Sequence, residues 1–289
     1  MFNTKLLISD AKNFSNRQQI NPYYDHEVVN LDQAIGEHDA IAGLFSAAGI
    51  EIVSVTAPQD SQDGVYTANW ALVRGKRAIL ARLPAVRHSE ESWAHQHLEK
   101  LGYEVVTVPE DWHFSGQGDA LACGAYLFCG QGYRSDVRAQ AFAADTLGYQ
   151  RIQLQTVPEL DSTGRPIINR VSGWPDSFYY DLDLALSVLR EPSVDKKGLI
   201  AYCPEAFTME SQHILAGLDF VDKIIVSENE SRQGFACNLV STGETVVMSN
   251  HAPKLQAAIE AHGLRVLSPR VEELIKGGGY IRCISLRLI

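Results

Sequence analysis

Paired cysteines are missing from this sequence of 289 residues. Its five cysteines are an odd number and include no Cys-x-x-Cys pair, which argues against a disulfide framework and against a zinc site. We therefore predict neither a metal nor another cofactor. No uninterrupted apolar run approaches about 18 residues, so no membrane span is predicted. The apolar run at the N-terminus is also too short for a signal peptide, and a cytoplasmic location is expected.

Basic residues are in the minority. The sequence has 25 Lys and Arg against 35 Asp and Glu, which gives a formal net charge of −10. Nucleic acids and anionic membranes need a basic face, so neither is predicted as a partner, whereas a small cation is compatible with this charge. No low-complexity linker divides the chain, and we predict one domain over residues 1–289. The sequence leaves open whether the chain forms a homodimer.

A unit of strands, helix, glycine and strand recurs along the chain. Amphipathic helical stretches end at a glycine that is followed at once by an apolar strand, at Gly49, Gly102, Gly148 and Gly263, with a looser copy at Gly217. Glycine suits a helix end because it tolerates the left-handed conformation. Paired apolar runs between the copies predict ββαβ units. Five such units would pack together, either radially around a central channel, which is a natural ligand site, or as an ordinary open α/β sheet.

The C-terminal segment Gly277 to Cys283 reads Gly-Gly-Gly-Tyr-Ile-Arg-Cys. Three glycines allow a sharp turn or a close approach to a ligand, and the strand predicted after them places Cys283 just beyond the turn. A thiolate attacks an electrophilic carbon more readily than a hydroxyl does at neutral pH. The alternative is a buried, inert cysteine of the core.

Three other polar clusters precede or follow predicted strands. Asp63 and Asn69 flank a short apolar strand, where a carboxylate could pair with a guanidinium or serve the turns. Arg87 begins a helix and could bind a carboxylate through two nitrogens, or be a solvated charge. Asp181 and Asp183 would share one face of a strand and raise each other's pKa. The long stretch 159–176 is rich in Gly, Pro, Ser and Asp and predicts a surface loop or a lid.

Together these segments resemble the amidinotransferase, arginine deiminase and dimethylargininase superfamily, also called penteins. Six segments resemble its motifs in the right order: Ile20-Asn21-Pro22 followed by Tyr23-Tyr24-Asp25, Asp63 to Asn69, Phe114 to Leu121, Asp181 to Leu189, Phe235 to Asn238, and Gly277 to Cys283. The resemblance covers nearly the whole chain. It implies an α/β fold, the five-bladed α/β propeller (pentein), with pseudo-fivefold ββαβ units around a central channel.

The resemblance also implies roles for individual residues. Cys283 corresponds to the nucleophile, and Asp63 and Asp119 correspond to carboxylates that hold the guanidinium or the framework. The implied substrate-binding set is completed by Asn21, Asn69, Arg87, Asp183 and Asn238. The implied partner is a small cationic guanidino substrate.

Two positions depart from the family pattern. The family histidine matches Asp181, and the glutamate of its Glu-Gly-x-Gly-Asp motif matches Ser115. An imidazolium stabilises a neighbouring thiolate, whereas a carboxylate disfavours it. Asp181 could still act as a base for water or, if protonated, as an acid, so Asp181 and Ser115 are kept as catalytic candidates with Cys283. His113, two residues before Ser115, is an alternative source of an imidazole.

The sequence therefore predicts a cysteine-dependent hydrolase that attacks the guanidinium carbon of arginine, a methylated arginine or a related guanidine or amidine through a covalent thiouronium adduct. Amidino transfer or other C–N chemistry on the same fold is one alternative. A catalytically silent guanidine-binding protein is the other, since fold does not decide function.

Overall fold

The computed structural model describes residues 2–24 and 27–288. Asp25, quoted above with the early Ile-Asn-Pro segment, lies outside the described residues. The helices and strands, in chain order, are β1 (Lys5–Ser9), α1 (Leu31–Ala47), β2 (Glu51–Val55), β3 (Ala71–Arg74), β4 (Arg77–Leu80), α2 (His88–Lys100), β5 (Glu104–Thr107), β6 (Ala120–Cys123), β7 (Tyr126–Gln131), α3 (Val137–Leu147), β8 (Gln150–Gln155), β9 (Leu186–Arg190), β10 (Gly198–Tyr202), α4 (Met209–Gly217), β11 (Val221–Ile225), α5 (Glu228–Gly234), β12 (Val240–Ser241), β13 (Thr245–Val247), α6 (Pro253–Ala261), β14 (Arg265–Leu267) and β15 (Leu286–Arg287).

These strands form five three-stranded sheets within the part of the chain that the structure describes. In each sheet the first strand pairs antiparallel with the second, and the second pairs parallel with the third across a helix, as in β3–β4–α2–β5. The same pattern holds for β6–β7–α3–β8, β9–β10–α4–β11 and β12–β13–α6–β14. The predicted five-bladed α/β propeller of ββαβ units is confirmed, and the open-sheet alternative is wrong.

The blade that contains the N-terminus is completed by the C-terminus. Strand β1 pairs parallel with β2 across α1, and its antiparallel neighbour is β15, from the other end of the chain. Leu6 lies opposite Arg287, and Leu7 lies opposite Leu286. Cys283 is therefore held close to the junction that closes the ring, because it lies three residues before β15.

The first strand of each blade is buried and lies toward the axis. Strand β9 contacts both β6 and β12, and β15 contacts β3. The third strands, such as β2 and β5, are half-exposed along their length. This gradient of burial explains why the paired apolar runs are the clearest signal in the sequence: they form the wall of the ring.

The glycines that end the helices take the predicted conformation in four blades. Gly49, Gly102, Gly148 and Gly263 have φ between +70° and +83°, a region that other residues enter at a cost. Gly217 differs, because it is the last residue of α4 and Leu218 ends the helix in extended backbone. The looser copy in the sequence thus corresponds to a different helix end.

Three predicted strands near the site are not strands. Thr67–Trp70 and Leu182–Leu184 are 3-10 turns, and residues 281–284 form turns before β15. Short apolar runs of this kind cannot be distinguished from buried turns by periodicity alone. The error matters, because residues two apart in a 3-10 turn do not share a face as they do on a strand.

Residues 159–176 form a hairpin-like excursion. Isolated bridges join Leu160 to Pro166 and Ile168 to Pro175, and Asn169 donates a hydrogen bond to the carbonyl of Gln19 at 3.0 Å. The loop therefore packs against the segment that carries Asn21.

No helix in the described residues is long and apolar enough to cross a membrane.

Candidate active site

The site is built from equivalent positions of the five blades. Each blade contributes the residues just before its first strand: Asn69 before β3, Asp119 before β6, Asp183 before β9, Asn238 before β12, and Cys283 before β15. Because the first strands surround the axis, these five segments meet at one end of the channel. The fold thus brings together residues that are up to 214 positions apart in the sequence.

Cys283 lies between an amide and a carboxylate. Its Sγ accepts a hydrogen bond from Nδ2 of Asn238 at 3.1 Å and lies 3.6 Å and 4.0 Å from the two carboxylate oxygens of Asp183. The Asn238 Oδ1 accepts hydrogen bonds from the backbone N–H groups of Arg282 and Cys283, so one side chain fixes both the thiol and its backbone. Cys283 is 3% exposed.

Burial and neighbouring negative charge favour the protonated forms of the thiol and of its neighbouring carboxylate. Burial first, and then the charge of Asp183, raises the pKa of Cys283 well above its usual range. Burial, followed by the charge of Asp181, raises the pKa of Asp183 in the same way. A bound cation would reverse both effects, since an opposite charge within a few ångströms favours the ionised form.

Asp181 points to a different set of partners from Asp183. Its two oxygens accept hydrogen bonds from the Ser115 hydroxyl and from Nδ2 of Asn69, each at 2.8 Å. Asn69 also donates to the Ser115 hydroxyl at 2.9 Å. The two candidate replacements, Asp181 and Ser115, therefore contact each other directly, with a hydroxyl donor and a carboxylate acceptor.

The expectation that Asp181 and Asp183 lie on one face is wrong. The backbone enters the 3-10 turn Leu182–Leu184 between them, so the first carboxylate faces Ser115 and the second faces Cys283. The N–H of Leu182 donates to Asp119 Oδ1 at 3.0 Å. Asp119 thereby holds the turn that separates the two acids.

Asp119 has framework partners on both oxygens. Its Oδ2 accepts a hydrogen bond from the Ser135 hydroxyl at 2.7 Å, and its Oδ1 accepts from Leu182. Burial, then the charge of Asp181, raises the pKa of Asp119 well above its usual range. Of the two roles given to Asp119 in the sequence analysis, these contacts match the framework role.

Arg87 is buried and fully engaged with protein. Its Nε and Nη2 donate to the two carboxylate oxygens of Glu90 at 2.8 Å and 2.7 Å, and its Nη1 donates to Asn69 Oδ1 at 3.0 Å. Although burial alone would lower its pKa, Glu90 raises the pKa of Arg87 above its ordinary value. The guanidinium thus binds the carboxylate of Glu90 through two nitrogens, the geometry that was expected for a substrate carboxylate. Its third nitrogen orients Asn69.

Asp63 lies across the cavity with a tyrosine as its partner. Its Oδ1 accepts a hydrogen bond from the hydroxyl of Tyr24 at 2.6 Å. Burial raises the pKa of Asp63 to about 6, against the opposing effect of Arg87. The buried carboxylate is therefore ionised at pH values above about 6, and a bound cation would stabilise that charge.

Asn21 packs on the glycine turn. Its Nδ2 donates to the carbonyl of Gly277 at 3.1 Å. A Cβ on Gly278, whose φ is +80°, would collide with the side-chain amide of Asn21, and one on Gly279 would collide with the ring of Tyr66. The three glycines are therefore required by close packing around the turn that presents Cys283.

Arg134 was missed by the sequence reasoning. It is 5% exposed, donates to the carbonyl of Ile20 at 3.1 Å, stacks on the ring of Tyr180 at 4.0 Å, and lies 3.9 Å from Asp181 Oδ2. One signal could have found it: Arg134 lies between β7 and α3, and Arg87 occupies the matching link between β4 and α2 in the preceding blade.

These groups enclose a cavity with an empty volume of about 210 Å³. Its lining includes Cys283, Asp63, Asn69, Arg87 and Arg134. Among the described residues no histidine lines it. His113 is exposed and stacks on Trp174 at 4.4 Å, so the alternative in which it reaches the site is wrong. No cluster of potential metal ligands occurs in the described part of the chain.

Solved structures share this fold along the whole chain. The N-terminal domain of ArgZ, an arginine dihydrolase from cyanobacteria, superposes with a TM-score of 0.85 at 24% identity and covers 99% of this chain and 97% of its own. A dimethylarginine dimethylaminohydrolase variant with an S-methyl-L-thiocitrulline adduct superposes with a TM-score of 0.75 at 18% identity. The fold is thus the pentein propeller that these two structures share.

Sequence comparison narrows the class to a family. A family model described as "N,N dimethylarginine dimethylhydrolase, eukaryotic" matches residues 5–170. The N(G),N(G)-dimethylarginine dimethylaminohydrolase of Mycobacterium tuberculosis is 31% identical over 274 residues, which cover 93% of this chain and 80% of that protein. The chain belongs to the dimethylarginine dimethylaminohydrolase family.

A second group of relatives is longer. The bifunctional arginine dihydrolase/ornithine cyclodeaminase AgrE of Nostoc sp. is 27% identical over 275 residues, or 93% of this chain. The matched region is 35% of AgrE, so this chain corresponds to about a third of that protein.

Proposed function

We propose that this protein is a cysteine-dependent hydrolase that attacks the guanidinium carbon of a free arginine or methylated arginine. The observation that carries the proposal is the position of the Cys283 thiol. It lies 3.6 Å from the Asp183 carboxylate, inside a buried cavity that also presents Asp63. A thiol beside buried carboxylates is poorly suited to neutral or anionic substrates, whereas a planar cation would satisfy both acids.

The substrate cation promotes ionisation of the thiol that attacks it. A guanidinium bound next to Asp183 stabilises the thiolate of Cys283, which then forms a bond to the guanidinium carbon. The C–N bond to the departing amine breaks, and the thiol proton reaches that amine by way of Asp183, the carboxylate nearest to the sulfur. Water next attacks the cationic thiouronium carbon, the C–S bond breaks, and a ureido product, the free thiol and one proton remain.

Asp181 takes a supporting role in this proposal. Both of its oxygens already accept hydrogen bonds, from Ser115 and Asn69. Its carboxylate lies beside the guanidinium of Arg134. We infer that the Asp181–Ser115 pair positions Asn69 and Arg134 around the substrate and that Asp183, rather than Asp181, exchanges protons with the reacting groups.

The far end of the cavity suits the polar end of an amino acid. Arg134 has neutral acceptors and an aromatic face as its nearest partners, with Asp181 at the limit of an ion pair. It can therefore bind a carboxylate, unlike Arg87, whose fork is filled by Glu90. Because the side chains that line this cavity are buried, we infer that it accepts a free amino acid rather than an arginine within a peptide.

The test is amine and ammonia release from purified protein given arginine, mono- and dimethylated arginine, agmatine and simple guanidines. Cys283→Ala is run beside the wild type. Release from one of the amino acids that disappears in the variant supports the proposal, and the amine released identifies the substrate. Release that persists in Cys283→Ala would refute the role of the cysteine.

A catalytically silent guanidine-binding protein is the second candidate. The absence of a histidine from the cavity lining of the described residues favours this candidate. The position that corresponds to the family's histidine is occupied by the carboxylate of Asp181. Binding of arginine, measured by calorimetry, without release of amine or ammonia at any pH between 6 and 10 would establish this alternative.

A further inference from the structure

A second cavity lies behind the candidate site. It has an empty volume of about 490 Å³, and its walls include Asp183, Arg282, Arg287, Gln117 and Asn3. Asp183 also contacts the Cys283 thiol, and Cys283 lines the candidate site, so this contact connects the linings of the two cavities. The side chain of Arg282, the residue before the nucleophile, lines this second cavity.

Arg282 is a buried cation with neutral close neighbours. It is 9% exposed. Its Nη1 donates to the carbonyl and hydroxyl of Ser285 and its Nη2 donates to Gln117 Oε1 at 2.8 Å. These acceptors carry no net charge. A buried guanidinium is costly unless a negative charge compensates it, and the carboxylate that shares its cavity is Asp183.

The electrostatic environment supports this pairing. Burial lowers the pKa of Arg282 to about 10; Asp183 acts to raise it, the like charge of Arg287 acts to lower it, and Cys283 acts more weakly to raise it. Other charged or titratable groups also act on Asp183 or Cys283 from the surrounding elements. They are Asp181 and Tyr180 from its own segment, Asp119 from the start of β6, Tyr66 from the segment before β3, and Cys237 from the segment before β12. Each of these groups is an acid that becomes negative when it loses a proton, so none of them compensates the charge of a thiolate.

We propose that Arg282 is a positioning residue for the nucleophile: from the second cavity it stabilises the negative charge that Asp183 and Cys283 share when the thiol ionises. A substrate cation in the candidate site would provide a second positive charge next to the thiolate. The inference assumes that Cys283 is the reactive thiol of the proposed function, but it does not depend on which guanidine is bound. It explains why the side chain of Arg282 lines the second cavity while the next residue, Cys283, lines the candidate site.

The experiment measures how fast the neutral electrophile 2-chloroacetamide labels Cys283 between pH 6 and 11, with the labelled peptide quantified by mass spectrometry. Arg282→Met should raise the apparent pKa of labelling by about one unit, so labelling below that pKa slows about tenfold. Arg282→Lys cannot reproduce the two-nitrogen hydrogen bonding but keeps the charge, and it should restore most of the wild-type profile. Thermal melting of each variant reports any loss of folding.

Arg287→Met is the matched control. Arg287 lines the same cavity, but its Nη1 pairs with Glu191 at 2.9 Å, and its removal should leave the profile within error of the wild type. Identical profiles for wild type and Arg282→Met, equal shifts in the Met and Lys variants, or an equal shift in Arg287→Met would each overturn the proposal. Chloroacetamide is uncharged and its reaction with Cys283 requires no turnover. The labelling result therefore tests the role of Arg282 even if no amine release is detected and the hydrolase proposal is refuted.

Discussion

Asp63→Asn should stabilise the folded protein at neutral pH while weakening its hold on a cation. In the folded state burial raises the pKa of Asp63 from 3.8 to about 6. A carboxyl whose folded pKa is raised favours folding below its unfolded pKa, and this contribution is lost as the pH rises through the folded pKa. At pH 7.5 the ionised Asp63 therefore destabilises the fold. Asparagine cannot ionise, yet its carbonyl can still accept the hydrogen bond from Tyr24.

The magnitude follows from the difference between the two pKa values. A shift of about two units corresponds to about 3 kcal/mol at 1.36 kcal/mol per unit. The free energy of unfolding of Asp63→Asn minus that of the wild type should therefore grow by about 3 kcal/mol between pH 3 and pH 7.5. The other buried acids, including Asp119 and Asp183, are present in both proteins, so their titration largely cancels in this difference.

Urea unfolding of both proteins at half-unit steps of pH provides the measurement. The difference should change most between pH 4 and pH 6 and level off above it. A difference that stays constant across this range would refute the reasoning, because it would mean that Asp63 titrates alike in the folded and unfolded states. Loss of arginine binding in the variant at pH 7.5 would show that the destabilising charge serves the ligand.

Two further substitutions test the supports of the site. Asn238→Ala removes the amide that contacts the Cys283 thiol and leaves two backbone N–H groups without their acceptor; we expect a loss of stability of about 1–3 kcal/mol and slower alkylation of the cysteine, both measurable in parallel. Glu90→Gln removes the charge that compensates the buried Arg87 and should destabilise the protein by about 3–5 kcal/mol in urea unfolding. Glu104→Gln, at an exposed ion pair, is its control and should cost less than about 1 kcal/mol; equal losses in the two glutamine variants would contradict the assignment of Arg87 as an internal support.

Much of the fold was predictable because its signals are local and repeated. Glycines that end helices, such as Gly49 and Gly102, have the same conformation and the same consequence in each copy. The pairing of β15 with β1 is a contact between the two ends of the chain, and no local pattern contains it. That closure was not predicted from the sequence.

The sequence predicted which residues belong to the candidate site better than it predicted how they are arranged. Asp181 and Asp183 were both identified, but the 3-10 turn Leu182–Leu184 gives their side chains different partners. This turn depends on the contact with Asp119, and such a contact produces no periodic pattern in the sequence. Arg87 was identified as a binding group, and the structure places Glu90 in its fork. Arg134 has no motif around it, and only its equivalence to Arg87 in the neighbouring blade marks it.

The central claim is that Cys283 is a nucleophile in a site built for a planar cation. The direct measurement compares labelling of Cys283 by 2-chloroacetamidine, which is cationic, with labelling by the neutral 2-chloroacetamide at pH 7.5, with Cys283→Ala confirming the position. The account predicts that the amidine reacts much faster, because only a cation offsets the burial and the carboxylate that hold the pKa of the thiol high, and that added arginine protects the thiol. Equal rates for the two reagents, with no protection by arginine, would contradict the account.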